Sequence, residues 1–111
     1  MANIKKYKKY QTYDGIWFKV SPEDYSLVKN LGDKFGYHLD KDSYIVCNYK
    51  KKGKTHTFRV HRLIAKLKGY RSIKGLHIDH IDRDKLNNTR ENIRVAGSRM
   101  NNRNRSNVKN Y

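Results

Sequence analysis

Three features of the sequence predict an α+β fold, with a small antiparallel β-sheet and a short helix followed by a β-hairpin that leads into a final helix. Short apolar and aromatic segments separated by turn residues fill the first half of the chain. One later segment has the spacing of a helix, and a polar loop then separates two further strand-like segments. With 36% apolar residues in a chain of 111, the core is expected to be modest.

The elements of the sheet are expected in the first half of the chain. Residues 16–20 have the composition of a strand, and Ser21 and Pro22 then favour a helix start, because a capping hydroxyl precedes a proline at the first helical position. We expect this helix to stop at Gly32. The antiparallel sheet is then predicted from strands at residues 35–39, 44–49 and 55–60.

A short amphipathic helix is predicted next. Val60, Leu63, Ile64 and Leu67 follow the i, i+3, i+4, i+7 spacing of one helical face, and Gly69 is a suitable C-terminal stop. This helix should cover the sheet.

The last part of the chain is predicted to form the hairpin and the final helix. Residues 76–80 and 93–96 are the two strands, and a polar loop connects them. Ser98 can cap a helix whose first turn contains Asn101.

These elements divide the chain into four expected regions. A basic, mobile arm precedes a sheet region that supports the rest and binds DNA, and a hairpin-helix unit precedes a polar tail. Their bounds are residues 1–12, 13–70, 71–105 and 106–111.

The charge of the chain indicates a polyanionic partner. Lys and Arg number 26 against 10 Asp and Glu, which gives a net charge of +16 and favours nucleic acid. No segment approaches the roughly 18 apolar residues of a membrane span, and the N-terminus lacks the apolar core of a secretory signal, so an intracellular protein is expected. With Cys47 alone, a disulfide within the chain and a CxxC zinc knuckle are excluded.

A group of polar residues in the last third indicates a metal-dependent nuclease. Asp79 is a hard oxygen ligand suited to Mg²⁺. His80 beside it can accept a proton near neutral pH. Two carboxamides, Asn92 and Asn101, follow downstream.

Four motifs carry a specific resemblance. They are HRLI from His61, DHIDRDKLNN from Asp79, ENIR from Glu91 and RMNN from Arg99. In this order, residues 60–105 resemble the HNH endonucleases, in particular small phage-borne and homing-type members. The resemblance covers somewhat under half of the chain and implies a ββα-metal fold for the hairpin-helix unit.

The resemblance also implies roles for individual residues. His80 would be the general base, and Asn92 would hold the loop and the base. Asp79 and Asn101 would bind one divalent cation, Mg²⁺ or alternatively Mn²⁺, and the neighbouring Asn102 is a second candidate for the same ligand position.

The sequence departs from the family pattern in the loop. Asp82 and Arg83 stand where the family usually has Asn-Gly, and Asn87 where it usually has Asp. Since glycine commonly serves a turn with positive φ, Arg83 predicts a differently shaped or strained turn. Asp82 is an alternative metal ligand only if the strand continues that far.

Two other histidines near the motifs are candidate site residues. His61 could reach the site or a phosphate, and His77 shares a strand face with Asp79, but a structural role is favoured for both.

DNA is the expected partner, bound by a monomer or a homodimer, in the cytoplasm of a host bacterium if the chain is phage-encoded. The expected DNA-binding cations are Lys50, Lys51, Lys52, Lys54, Arg94, Arg99, Arg103 and Arg105. Two alternatives remain open: a non-catalytic DNA-binding regulator or packaging accessory on the same scaffold, and an RNA-binding protein of the ribosomal kind.

Overall fold

The computed structural model of the chain describes residues 6–70 and 73–97. It confirms the α+β class, with short strands grouped into three sheets and two α-helices packed among them. The elements in chain order are β1 (Lys8–Gln11), β2 (Trp17–Val20), α1 (Pro22–Phe35), β3 (Tyr37–Leu39), β4 (Ile45–Lys51), β5 (Lys54–Arg59), α2 (Val60–Leu67), β6 (Leu76–His80), β7 (Asn87–Asn88), a short 3₁₀ helix (Arg90–Asn92) and β8 (Ile93–Gly97).

The three sheets are small. The predicted antiparallel sheet is present as β3-β4-β5, and the predicted hairpin is present as β6 paired antiparallel with β8. The third sheet, β1-β2-β7, is mixed, since β2 is antiparallel to β1 and parallel to β7. In the described ranges, neither helix is long and apolar enough to cross a membrane.

The core connects both halves of the chain. Helix α2 packs against β4 and β5 on one side and against β6 and β8 on the other. Its inward residues, Val60, Ile64 and Ala65, are fully buried, as the predicted helical spacing requires. They share one apolar cluster with Phe18, Val20, Val28, Tyr37, Ile45, Cys47, Ile78 and Ile93. The hairpin is therefore fixed to the sheets through α2.

The prediction of a mobile arm over residues 1–12 was wrong for residues 8–11, which form β1. Tyr10 anchors this strand, because its ring packs edge-on against Phe18 and Tyr37, with ring centroids 6.2 and 5.8 Å apart. Its hydroxyl donates a hydrogen bond of 2.5 Å to Asp33. A single inward-facing ring among lysines gives too weak an alternation to reveal a strand.

The predicted stop of α1 at Gly32 was also wrong, since the helix continues to Phe35. Gly32 is buried under the ring of Tyr10, where any Cβ atom would overlap that ring. The helix ends instead at Gly36, whose φ of 82° suits glycine. The Gly36 N–H donates to the Gly32 carbonyl at 2.8 Å. The glycine at position 32 therefore serves close packing and not a helix end.

Strand β7 was not predicted. Its two residues pair in parallel with Lys19 and Val20 of β2, and the Lys19 N–H also donates to the Leu86 carbonyl at 2.7 Å. The loop of the hairpin is thus attached to the N-terminal sheet.

Candidate active site

His80 is the last residue of β6, and its side chain is directed inward with 7% exposure. Its Nε2 atom lies 2.7 Å from Oδ1 of Asn88, which is itself buried. The Asn88 Nδ2 atom donates to the Lys85 carbonyl at 3.4 Å, which is consistent with this orientation of the amide. Because a carboxamide oxygen only accepts hydrogen bonds, Nε2 carries the proton and Nδ1 carries the lone pair.

Asn88 is a residue that sequence reasoning missed. The partner that fixes the tautomer of His80 is a side chain eight residues later. The position of Asn88 depends on the pairing of β7 with β2, in which Asn88 is opposite Val20. The only signal in the sequence was its place in the DKLNN part of the motif.

Asn92 closes the loop between the strands of the hairpin. Its Nδ2 atom donates to Asp82 Oδ1 at 2.9 Å and to the Asn87 carbonyl at 2.8 Å. Its Oδ1 atom accepts the Asp82 N–H at 3.0 Å. These contacts are those of a residue that holds the loop.

Asp82, the alternative metal ligand, is occupied within the loop. Its Oδ1 atom accepts the Asp84 N–H at 2.8 Å, and its Oδ2 atom accepts Asn87 Nδ2 at 3.0 Å. Burial opposes ionisation of this carboxyl, but the hydrogen bonds from Asn87, Asp84 and Asn92 outweigh it and lower its pKa. Arg83 next to it has a φ of 64°, which confirms the predicted strained turn.

Asp79 projects from the opposite face of β6, beside its cross-strand partner Arg94. The guanidinium group binds both carboxylate oxygens, with Nη2 2.7 Å from Oδ2 and Nε 3.1 Å from Oδ1. The hydrogen bond from Arg94 lowers the pKa of Asp79. Asp79 is therefore ionised near neutral pH, as a hard cation requires. Each of its oxygens keeps a further lone pair beyond the Arg94 contact.

The other predicted metal ligand, Asn101, and its alternative Asn102 lie outside the described residues, and the prediction of a final helix falls there too. Among the residues that the structure describes, no group of three or more His, Cys, Asp and Glu side chains is placed to hold a metal ion. The predicted ligand set has only one such side chain, the carboxylate of Asp79, because the second ligand is a carboxamide, so it would not form a group of this kind.

An open cleft of about 560 Å³ connects these residues to solvent. His80 is the buried residue of its lining, while Asp79 and the cationic side chains around it are exposed or half-exposed. The lining residues are Tyr44, Asp79, His80, Ile81, Arg83, Lys85 and Arg94. The positive charge around a proton acceptor and a carboxylate is suited to a phosphate group.

Comparison with known proteins gives a consistent assignment. Residues 58–103 match the model of an HNH endonuclease family. The chain is 32% identical over 98 residues to DNA endonuclease I-HmuI from Bacillus phage SP01. The aligned region covers 86% of this chain and 55% of that protein. Residues 58–103 of this chain therefore form an HNH endonuclease segment.

A solved structure shows the same resemblance. This structure concerns DNA binding and cleavage by the HNH homing endonuclease I-HmuI. The TM-score is 0.52 at 29% identity, over 87% of this chain and 56% of that one. The chain thus spans about half the length of the relatives it matches. HNH endonucleases generally use a divalent metal ion.

His61, in the first helical turn of α2, contacts His80. Its ring is 4% exposed, lies 5.2 Å from the His80 ring and stacks on Tyr44 at 4.6 Å between centroids. We refer to Tyr44, His61 and His80 as the ring cluster. His77, in contrast, is exposed on the face of β6 that carries Asp79, as predicted.

The predicted DNA-binding lysines lie at the far end of the sheet from this centre. Lys50, Lys51, Lys52 and Lys54 are all exposed at the turn between β4 and β5. Since β4 starts next to Tyr44 and rises by about 3.3 Å per residue, the turn is on the order of 20 Å from the ring cluster. Of the predicted arginines, Arg94 pairs with Asp79, and Arg99, Arg103 and Arg105 lie outside the described residues.

Proposed function

We propose that this chain is a metal-dependent DNA endonuclease that hydrolyses phosphodiester bonds. The observation that carries the proposal is the His80–Asn88 hydrogen bond of 2.7 Å at a cleft lined by cationic side chains. The match of residues 58–103 to the HNH endonucleases, and the description of I-HmuI as a DNA endonuclease, support the choice of substrate.

His80 is the general base of this proposal. The Nε2–H group donates to Asn88, so Nδ1 is the atom that takes a proton from the attacking water. Asn88 accepts the same hydrogen bond after protonation, when both ring nitrogens carry hydrogen. The ring therefore keeps its orientation through proton transfer. Asn92 supports this arrangement by holding the loop to which Asn88 belongs.

Asp79 and Asn101, or Asn102 in its place, would hold one divalent cation, Mg²⁺ or alternatively Mn²⁺. When bound, such a cation stabilises the negative charge that develops on the phosphate and on the leaving oxygen. Asp79 fits this role because it is ionised and lines the cleft. Arg94 is placed to take up a phosphate oxygen when Asp79 exchanges its partner.

Binding along the duplex would use several of the chain's cations. The exposed lysines of the β4–β5 turn and Arg94, together with Arg99, Arg103 and Arg105, would contact phosphates. One centre cleaves one strand, so a monomer nicks DNA and a homodimer cuts both strands. We place the activity in the cytoplasm of a bacterial host.

The proposal is tested by incubating the purified protein with supercoiled plasmid and with a randomised duplex library, in Mg²⁺, in Mn²⁺ and in EDTA. We expect conversion to open-circular or linear product, or enriched cut sites in the library, with either metal and none in EDTA. A gel-shift assay in the same buffers measures binding. Tight binding without cleavage of any substrate would contradict the proposal and favour the non-catalytic DNA-binding regulator.

A further inference from the structure

We propose that His61 is a positioning residue of the centre, whose ring holds the His80 imidazole in the orientation that directs Nδ1 towards the cleft. The inference rests on the proposed function of His80 as the base. It starts from the contacts of a buried histidine that the mechanism above does not use.

The three rings of the cluster come from three different elements. Tyr44 immediately precedes β4, His61 is in the first turn of α2, and His80 ends β6. The Tyr44 and His61 rings are nearly parallel, at 12°, and the His61 ring meets His80 at 31°. The Tyr44 and His80 centroids are 6.1 Å apart. The face of His80 is therefore bounded by a wall that the sheet and α2 build together.

The outer ring of this wall is itself held in place. The Arg59 guanidinium lies 4.4 Å from the Tyr44 ring centroid, and the Lys85 ammonium lies 4.5 Å from it, both within the range of cation–π attraction. Arg59 Nε also donates to Asp40 Oδ2 at 2.9 Å. His61 thus contacts both a fixed tyrosine and the base.

His61 contacts its neighbours as a flat ring and not through a hydrogen bond. No hydrogen bond joins its imidazole to another residue of the described ranges. Burial, the neighbouring His80 and the nearby Arg59 and Arg62 lower its pKa to about 3. The ring is therefore neutral at neutral pH, and it does not oppose the positive charge that His80 gains as a base.

A ring contact of this kind fixes an angle that one hydrogen bond leaves open. The bond from Nε2 to Asn88 sets one atom of the His80 ring, while rotation about that bond would move Nδ1 away from the water. The His61 ring, whose centroid lies 5.2 Å from that of His80, limits this rotation. A misplacement of about 1 Å at a reacting atom can lower a rate on the order of a hundredfold.

The experiment compares His61→Phe, His61→Leu and His61→Ala with the wild type. Phe keeps a flat neutral ring, Leu keeps apolar volume without a flat face, and Ala removes the contact. His77→Ala is the matched control, because His77 is an exposed histidine of the same strand as His80. The first readout is the ¹⁵N spectrum of the His80 ring in the free protein, assigned with His80→Gln.

We expect the wild type, His77→Ala and His61→Phe to show one His80 tautomer with Nε2 protonated. His61→Leu and His61→Ala should show averaged or broadened ring signals. Single-turnover cleavage should stay within about threefold for Phe and fall at least about tenfold for Leu and Ala, with DNA affinity unchanged. His61→Phe should melt no lower than the wild type, since it replaces a buried polar ring that has no hydrogen bond among the described residues.

Two outcomes would overturn the inference. One is an unchanged His80 ring spectrum in folded His61→Leu or His61→Ala. The other is loss of the single tautomer in folded His61→Phe. If His61→Ala does not fold, the Phe and Leu variants decide the result. Because the ring spectra need no DNA and no cleavage, failure of this inference remains distinguishable from failure of the proposed nuclease function.

Discussion

The Nε2 atom of His80 lies 2.7 Å from the Oδ1 atom of Asn88, and both side chains are buried. The two residues come from different sheets, since His80 ends β6 of the hairpin and Asn88 ends β7, which pairs with β2. The tautomer of the proposed base therefore depends on a contact between the hairpin loop and the N-terminal sheet. The N-terminal half of the chain thus helps to position the residues of the site.

Asn88→Ala should lower cleavage while leaving DNA binding intact. Without the acceptor at Nε2, the proton is free to move to Nδ1 and the ring loses its orientation. We expect a fall in the single-turnover rate of about tenfold to a hundredfold, the range seen for partners that orient a functional histidine. Rates and gel-shift affinities on one DNA substrate provide the measurement.

Asn30→Ala is the control for this variant, because Asn30 is an exposed carboxamide on α1. A wild-type rate for folded Asn88→Ala would show that the His80–Asn88 hydrogen bond does not contribute to cleavage.

Asp24 forms an ion pair with Arg90, the first residue of the 3₁₀ helix that contains Asn92. It is 2% exposed and accepts from Arg90 through Nη2 at 2.6 Å and Nε at 3.0 Å. Asp24→Ala should lower the free energy of unfolding by about 2 to 3 kcal/mol, since it removes hydrogen bonds between charged groups and leaves Arg90 without its main partner. Urea denaturation measures the change.

Glu23→Ala is the matched control. Glu23 lies one residue earlier, is 60% exposed and is 3.9 Å from the same guanidinium, so its loss should change stability by less than about 0.5 kcal/mol. Equal effects of the two substitutions would show that the buried pair does not secure this junction.

Asp40 should make stability depend on pH in the acid range. Burial opposes its ionisation, but the N–H groups of Tyr44 and Asp42 and the charge of Arg59 outweigh this and lower its pKa. Its contribution is therefore complete above the ordinary aspartate pKa of 3.8 and is lost as pH falls through the lower folded value. We expect Asp40→Asn to reduce the decline in unfolding free energy below pH of about 4.

Denaturation curves recorded at several pH values give this slope. Asp42→Asn serves for comparison, because Asp42 is more exposed and its contact with Arg59 is longer, at 3.4 Å. A slope for Asp40→Asn equal to that of the wild type would contradict the prediction.

The lysines of the β4–β5 turn should contribute to the salt dependence of DNA binding. If Lys50, Lys51, Lys52 and Lys54 each contact a phosphate, replacing all four by Ala should reduce the slope of log K against log salt by about 3 to 4. Binding titrations between low and moderate salt measure it. A double Ala variant of Lys29 and Lys34 on α1 provides the control, and an unchanged slope in the turn variant would remove this turn from the DNA interface.

The sequence was informative where a local pattern is enough to determine structure. The apolar spacing of Val60, Leu63, Ile64 and Leu67 predicted α2. The predicted hairpin strands at residues 76–80 and 93–96 agree closely with β6 and β8. Arg83 in place of a glycine predicted the strained turn, which has a φ of 64°. The motif around Asp79 and His80 led to the family.

Features set by contacts between distant parts of the chain could not be predicted in the same way. Gly32 lies inside α1 and not at its end, and its lack of a side chain leaves room for the Tyr10 ring. Asn88 reaches His80 because β7 pairs with β2. His61 lies in the predicted helix, but its place against His80 follows from how α2 packs on β6. Each of these depends on side chains far apart in sequence, which no local spacing records.

The most direct test of the central claim is the single-turnover cleavage rate of His80→Ala beside His77→Ala, in Mg²⁺ or Mn²⁺, on a DNA substrate that the wild type cuts. We expect His80→Ala to lose at least about a hundredfold in rate at unchanged DNA affinity and melting temperature, while His77→Ala cleaves like the wild type. Cleavage by folded His80→Ala at the wild-type rate would contradict the assignment of His80 as the base.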